Sequence, residues 1–417
     1  MVELRSTSSL GFYRVVGLVF WACLRLSGCR SAPPDGVGLD LSTASWEEIE
    51  QAARGQAVNM TMWMGDPLIN EYMRGFVAPS LQEQYGVTLR VSAGQGNQIV
   101  SMVMTEIEAG KAVSEVDLVW INGETFYQLR QIDALFGPFT DRLPNAAFVD
   151  LENPFIGVDF QQPVDGYEAP WGNVQFALIT DTLRVPDPPR TRAALADWVR
   201  AHPGRFTFDN GFAGMTLLKA LLIDIAGGPE ALAGPFDEAR YRTHSAALWE
   251  YINGIKPYFW MEGATYPAGV AQLHQMFANG EVDFTMSNND GEVDNKVRQG
   301  LFPASARAFV LEGGTIQNSH YLGIVRTAPN RAGAMVAINF LLSPEAQLRK
   351  ADPEVWGDGT VLAIDRLPAE WQPRFREAGR RAHAPPREAL QPYALPELAP
   401  EYMIRLYDDF RTHVLAP

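Results

Sequence analysis

The chain has 417 residues, 47% apolar and 11% aromatic, with 49 acidic against 34 basic side chains and a formal charge of −15. Such an acidic chain has no general attraction to nucleic acid or to an anionic membrane face. Past the N-terminus no run of about 18 uninterrupted apolar residues offers a membrane span.

Arg5 and Arg14 precede the apolar run Val15 to Leu24, which is short and closely flanked by Arg25, so it reads as an export signal. Its end, Leu26-Ser27-Gly28-Cys29, resembles the lipobox of bacterial lipoproteins, whose cysteine is acylated and becomes the first residue. The alternative is an ordinary signal peptide with a chance cysteine nearby. On the lipobox reading, residues 1–28 are the signal peptide, Cys29 carries the lipid anchor and residues 29–55 are a tether holding a short helix near Ser45 to Arg54. Losing residues 1–28 removes three arginines and one glutamate, taking the charge from −15 to −17. With Cys23 lost and Cys29 acylated no free thiol remains, which excludes disulfides, cysteine-zinc sites and cysteine nucleophiles together. The remaining length exceeds a single core of about 250 to 300 residues, so two lobes are expected.

Three strand-loop-helix units then follow. Val58 to Trp63 reads as a strand, and Asp66-Pro67 as N-cap and first position of a helix that Pro79 must kink or shorten before Gly86. The strand Val87 to Val91 leads through Gly94-Gln95-Gly96-Asn97 into a helix, and Val116 to Ile121 leads through Asn122-Gly123-Glu124 into another. Repeated units of this kind imply a largely parallel sheet with right-handed crossovers. Ligands gather where such strands end, which makes Trp63 and Asp66, Gln95 with Gly96 and Asn97, and Asn122 with Gly123 and Glu124 the first candidates.

A turn-rich stretch from Phe136 to Asp165 precedes Tyr167 to Asn173, read as the crossing into a second lobe with Trp171 as its leading aromatic candidate. There Phe206 to Phe208 suggests a short strand, Asp209-Asn210-Gly211 a turn and Phe212 to Ala226 a helix. The strand Val282 to Met286 ends in Ser287-Asn288-Asn289-Asp290, and Trp260, Tyr266 and Asp290 are weaker candidates placed by their position in this lobe. A last strand, Tyr321 to Val325, precedes a helix from Arg331 to Leu342 and the cap Ser343-Pro344-Glu345.

Catalytic and cofactor signatures are weak. Ile99 stands where a dinucleotide loop needs its third glycine, the six histidines show no metalloprotease spacing, and neither a Walker loop nor a nucleophile elbow occurs. No cofactor or metal is expected.

The ordered pieces "VDLVWINGETF", "YEAPWGNVQFALI", "GEVDFTMSNNDGEV" and "GIVRTAPNRAGAMVAINFLLSPEAQ" resemble the type II periplasmic solute-binding proteins of ABC importers, from about Val58 to at least Ala351. The "WINGE" and "APWG" segments are similar to an uncharacterised branch near the thiamine, polyamine and iron binders. The resemblance implies an α/β fold of two lobes, each a mixed, mostly parallel sheet flanked by helices, joined by a hinge. Lobe one would span 56–168 with a return segment 313–345, and lobe two 169–312 with C-terminal helices 346–417. It implies a monomeric, non-enzymatic receptor in the periplasm or at the cell surface. Trp63, Asp66, Gly96, Asn97, Asn122, Glu124, Trp171, Asn210, Trp260, Tyr266, Asn288 and Asp290 would contact a small solute between the lobes. Its partners would be ABC permease subunits, and the membrane through Cys29, with no nucleic acid. Aromatics beside carboxylates suit an organic cation, thiamine-like or polyamine; sugar or oxyanion receptors and a secreted lipoprotein hydrolase are the alternatives.

Overall fold

The structure, a computed structural model, describes residues 39–415. The export signal, Cys29 and the start of the tether lie outside the described residues. Helix α1 (Trp46–Ala53) opens on a capping box: Glu48 N–H donates to Ser45 Oγ, and Ser45 N–H donates to the Glu48 carboxylate at 2.8 Å. Strands β1 (Ala57–Met62), β2 (Thr88–Ala93) and β3 (Leu118–Ile121) pair in parallel, with β1 central. The crossovers carry α2 (Pro67–Glu71) and α3 (Ala78–Tyr85), then α4 (Gly96–Glu108), and α5 (Gly123–Gln131) follows β3. Between α2 and α3 the wide turn Tyr72–Val77 is π-helical, so the chain reaches Pro79 in the first turn of α3 without the expected break.

The strands β4 (Leu135–Phe136), β5 (Val158–Asp159), β6 (Gln162–Pro163) and β7 (Glu168–Gln175) come next. Strands β8 (Ala177–Asp181), β9 (Phe284–Ser287) and β10 (Ala306–Phe309) form a second sheet in the order β10-β8-β9. Strand β11 (Thr315–Val325) then returns to the first sheet, antiparallel to β3, β4 and β7, and β12 (Ala394–Leu395) lies parallel at its start. The second sheet is antiparallel at both of its pairings, where a mostly parallel one was expected.

The remaining helices are α6 (Arg192–Ala201), α7 (Phe212–Ala226), α8 (Glu238–Ile255), α9 (Val270–Ala278), α10 (Glu292–Arg298), α11 (Arg331–Leu341), α12 (Pro344–Ala351), α13 (Gln372–Ala378), α14 (Arg387–Leu390) and α15 (Pro400–Phe410). Two hydrophobic cores result. The first gathers residues from Leu41 to Trp171 and from Tyr321 to Phe375; the second gathers Phe160, residues from Phe176 to Ile316, and Ala384 to Val414.

These cores revise three expected boundaries. Residues 46–53 are not tether, because the amphipathic α1 buries Ile49 and Ala53 completely and packs on α11. The crossing lies at Phe176 and not at Ala169, because β7 pairs with β11 and holds Ala169 and Trp171 in the first core. Residues 346–375 also stay with the first core, since α12 starts three residues after α11 ends and buries Ala346 there; only from Ala384 does the C-terminal segment join the second.

The cores meet through polar contacts as well as through the strands. Asp66 caps α2, with Oδ1 accepting from Leu68 N–H at 2.7 Å, and its other oxygen pairs with Lys296 of α10. Lys296 also lies 3.4 Å from Glu292, while Asn295 donates to Pro353 O at 2.9 Å. The Asp66–Lys296 pair is buried, so removing one partner leaves uncompensated charge and costs about 3–5 kcal/mol. Lys296→Met is expected to favour an open form with a larger radius of gyration in solution X-ray scattering. An unchanged radius would show that this pair does not hold the two cores together.

Candidate functional site

Between the two cores lies a cavity of about 410 Å³. The strand ends of the first sheet supply Trp63, Gly96, Asn97, Asn122 and Glu124, and the end of β9 supplies Ser287, Asn288 and Asn289. The connecting strands contribute Val174, Asn318, Ser319 and His320, the segment after α12 contributes Trp356 and Asp358, and α15 contributes Tyr407. A larger groove of about 830 Å³ runs over β2 and α4, sharing Gln98 with this cavity but lined by residues of the first core alone. The site is assigned to the smaller cavity because residues of both cores converge there.

Of the sequence-derived candidates, Trp63, Gly96, Asn97, Asn122, Glu124 and Asn288 line this cavity. The others do not. Asp66 is turned into its cap and ion pair. Trp171 is fully buried, packed edge-on against Trp120 at 5.1 Å and Trp356 at 5.2 Å, so it supports the wall rather than forming it. Tyr266 packs on Phe208 and Phe410 in the second core, and Trp260 lies against that core. Asp290 is occupied by Arg381 and Gln175 N–H. Asn210 lies between two lining residues, Asp209 and Gly211, without itself lining the cavity.

The sequence reading missed Trp120, Asp209, Phe212, Glu292, His320, Trp356, Asp358 and Tyr407. Asp209 opens the turn Asp209-Asn210-Gly211, and Trp120 is the last residue but one of β3; these two carry a local signal. His320 and the segment 356–358 are brought in by long-range pairing. Gly172 marks that approach in retrospect: a Cβ there would stand 2.2 Å from Asp358 Oδ2 and 2.3 Å from the His320 ring, so only glycine fits.

The acids of the lining fall into two kinds. Asp358 is paired with Lys350, and His320 Nε2 lies 3.2 Å away; burial is overcome by these neighbours, and its carboxyl is held down to about 2. Glu292 is likewise held below its usual value against burial by His274 and Lys296. Among the described residues neither Glu124 nor Asp209 forms an ion pair, and Lys219 and His274 act on them only through space, without overcoming burial. Glu124 Oε2 and Asp209 Oδ2 are buried without a hydrogen-bond partner, although Asp209 Oδ1 accepts from Gly211 N–H at 2.8 Å. Burial pushes Glu124 up to about 7 and Asp209 up to about 6. No lysine or arginine is among the lining residues. Among the described residues, no group of three or more His, Cys, Asp or Glu is arranged to hold a metal ion. Nor, among them, is any helix long and apolar enough to cross a membrane.

The family described as bacterial extracellular solute-binding protein matches residues 77–373. Protein YnjB of Escherichia coli is 36% identical over 329 residues, covering 78% of this chain and 84% of that one. The spermidine/putrescine ABC transporter substrate-binding protein PotD of Streptococcus pneumoniae superposes with a TM-score of 0.58 at 14% identity, over 86% of this chain and 99% of that one. The periplasmic binding protein AfuA of Actinobacillus pleuropneumoniae, with fructose-6-phosphate bound, gives 0.61 at 14% identity, over 87% and 99%. At these identities the solved structures establish the fold, while the sequence matches establish descent. The chain belongs to the bacterial extracellular solute-binding proteins, with the fold of the type II periplasmic receptors of ABC importers.

Proposed function

We propose that this receptor captures a small organic cation, thiamine-like or polyamine, in the cavity between its two lobes and hands it to the membrane subunits of an ABC importer. The observation that carries the reading is the pair of unpartnered buried carboxyl oxygens, on Glu124 and Asp209, in a cavity without lysine or arginine. A buried carboxylate without a partner is costly, and a cationic solute removes that cost on arrival. Trp63, Trp120, Trp356 and Phe212 supply aromatic surface for the solute's apolar or cationic parts. The acids contributed by α5 and by the turn before α7 lie on opposite cores, so a solute touching both favours the closed form by its differential affinity.

An oxyanion would find no lysine or arginine in the lining to pair with, and a neutral sugar would bring no charge to draw the two carboxyls into their ionised form. The acylated Cys29 would keep the receptor, a monomer, at the membrane beside its permease.

A thermal-shift screen of thiamine, polyamines, sugars and oxyanions tests the solute class. A ligand at 1,000 times its Kd stabilises the native state by about 4.1 kcal/mol. Cations are expected to raise the Tm, and Glu124→Gln to abolish that shift. A shift with sugars or oxyanions alone would overturn the cation reading. For the anchor, Cys29→Ser is expected to abolish lipid labelling, and labelling that survives it would refute acylation at that residue.

A further inference from the structure

Beneath Glu124 the cavity floor continues into a cluster of carboxyl groups. Asp159, on β5, accepts the N–H of Gly123 at the start of α5; Glu168 stands on β7; Glu397 precedes α15. Against these acids stands Lys219 of α7, paired with Glu397 and 4.0 Å from the centre of the Phe160 ring. Asn318 of β11 donates to the second Glu397 oxygen at 2.7 Å, which completes the surroundings of that acid. Glu124, Asp159 and Glu168 are left over. They are 5%, 1% and 0% exposed, and one oxygen of each of the first two and both of the third lack a partner.

Few other titratable groups face the cluster. Arg130 of α5 lies 3.5 Å from the Tyr167 ring centre and acts on Glu168 only through space. The Tyr321 hydroxyl of β11 donates to Ile156 O at 3.0 Å. Tyr407 of α15 is within electrostatic reach of both Glu124 and Asp209. Three carboxylates cannot remain ionised and unpaired at this burial, because the desolvation cost is met by taking up protons.

We infer that this cluster holds protons while the cavity is empty and that a cationic solute docking on Glu124 replaces one of them, so that solute and proton compete for one site. This rests on the cation reading above and adds its regulation by pH. In the exchange the Glu124 O–H bond breaks and the proton passes to solvent. The solute's cationic group becomes the counter-ion of the carboxylate, and nothing is oxidised or reduced. Burial raises all three acids, Glu124 to about 7, and Asp159 and Glu168 well above the usual carboxyl range. Asp159 is a positioning residue: it accepts the first N–H of α5 and so fixes the helix end that carries Glu124.

The sign is definite. A folded-state value raised above the unfolded one gives stability that is full below the unfolded value and lost as pH rises through about 7 for Glu124. Affinity for a cation runs the other way, weakening up to about tenfold per pH unit of acidification below neutrality.

The test is an infrared pH titration of the full chain without ligand, following the carbonyl band of protonated carboxylic acids, repeated with saturating thiamine and with saturating putrescine. The expected result is a band that titrates through neutrality, loses that component in Glu124→Gln and is bleached by whichever cation binds. Asp159→Asn is expected to shift the midpoint of the Glu124 component, a change that a merely structural role would not produce, and it serves as the second variant if Glu124→Gln does not fold. Absence of any protonated-carboxyl band in mildly acidic buffer would overturn the exchange whatever the solute. A band that persists while thiamine or putrescine raises the Tm would overturn the exchange and leave the cation reading standing. A band with no cation binding at all would overturn both.

Discussion

The antiparallel ladder between β7 and β11 is the constraint on which the rest of the structure depends. Its register runs from Glu168 opposite Gly323 to Gln175 opposite Gln317, with an irregularity between His320 and Tyr321. The two strands run from the middle of the first sheet to the threshold of the second core, so both cores are tied to one pair of hydrogen-bonded strands. The same pair supplies Val174, Asn318, Ser319 and His320 to the cavity wall and hides Trp171 behind it. Asn173 braces the junction, donating to Phe155 O at 2.9 Å and to Ser319 Oγ at 3.0 Å. A cavity set against a shared hinge changes shape when the cores move, which is the physical basis of capture by closure.

Charge pairing separates support from function around this hinge. Lys296 with Asp66, Lys350 with Asp358, and Arg381 with Asp290 each bury an acid with its own cation. Such pairs are poor sources of net stability, yet each is costly to break, so they fix geometry. Glu124 and Asp209 lack that compensation, and they sit where a solute would arrive. Unpartnered carboxyl oxygens therefore stand at the cavity, with aromatic rings around it, and on Asp159 and Glu168 behind it. On the proposed reading, selectivity for cations would follow from the lack of a lysine or arginine among the residues lining the cavity.

Much of this was legible in the sequence because the first sheet is built from strand-loop-helix units whose strand ends face the cleft. Trp63, Gly96, Asn97, Asn122 and Glu124 were reachable by that rule, and Asn288 by the same rule applied to β9. The rule failed for Asp66, since a short side chain at an N-cap position is held by its own helix. Trp171, Trp260 and Tyr266 failed because aromatics are core-fillers first, and nothing local distinguishes a wall from what stands behind it. His320, Trp356, Asp358 and Tyr407 were invisible for a different reason. Their positions depend on strand register and on where residues 346–415 fold back, and those are long-range properties that no neighbouring residue announces.

Native mass spectrometry of the full chain, purified from its own cell envelope without denaturation, tests the central claim most directly. The account predicts one small organic cation bound per chain and released on unfolding, with the Glu124→Gln protein recovered without it. A bound sugar or oxyanion, or a cation retained undiminished by that variant, would contradict the account.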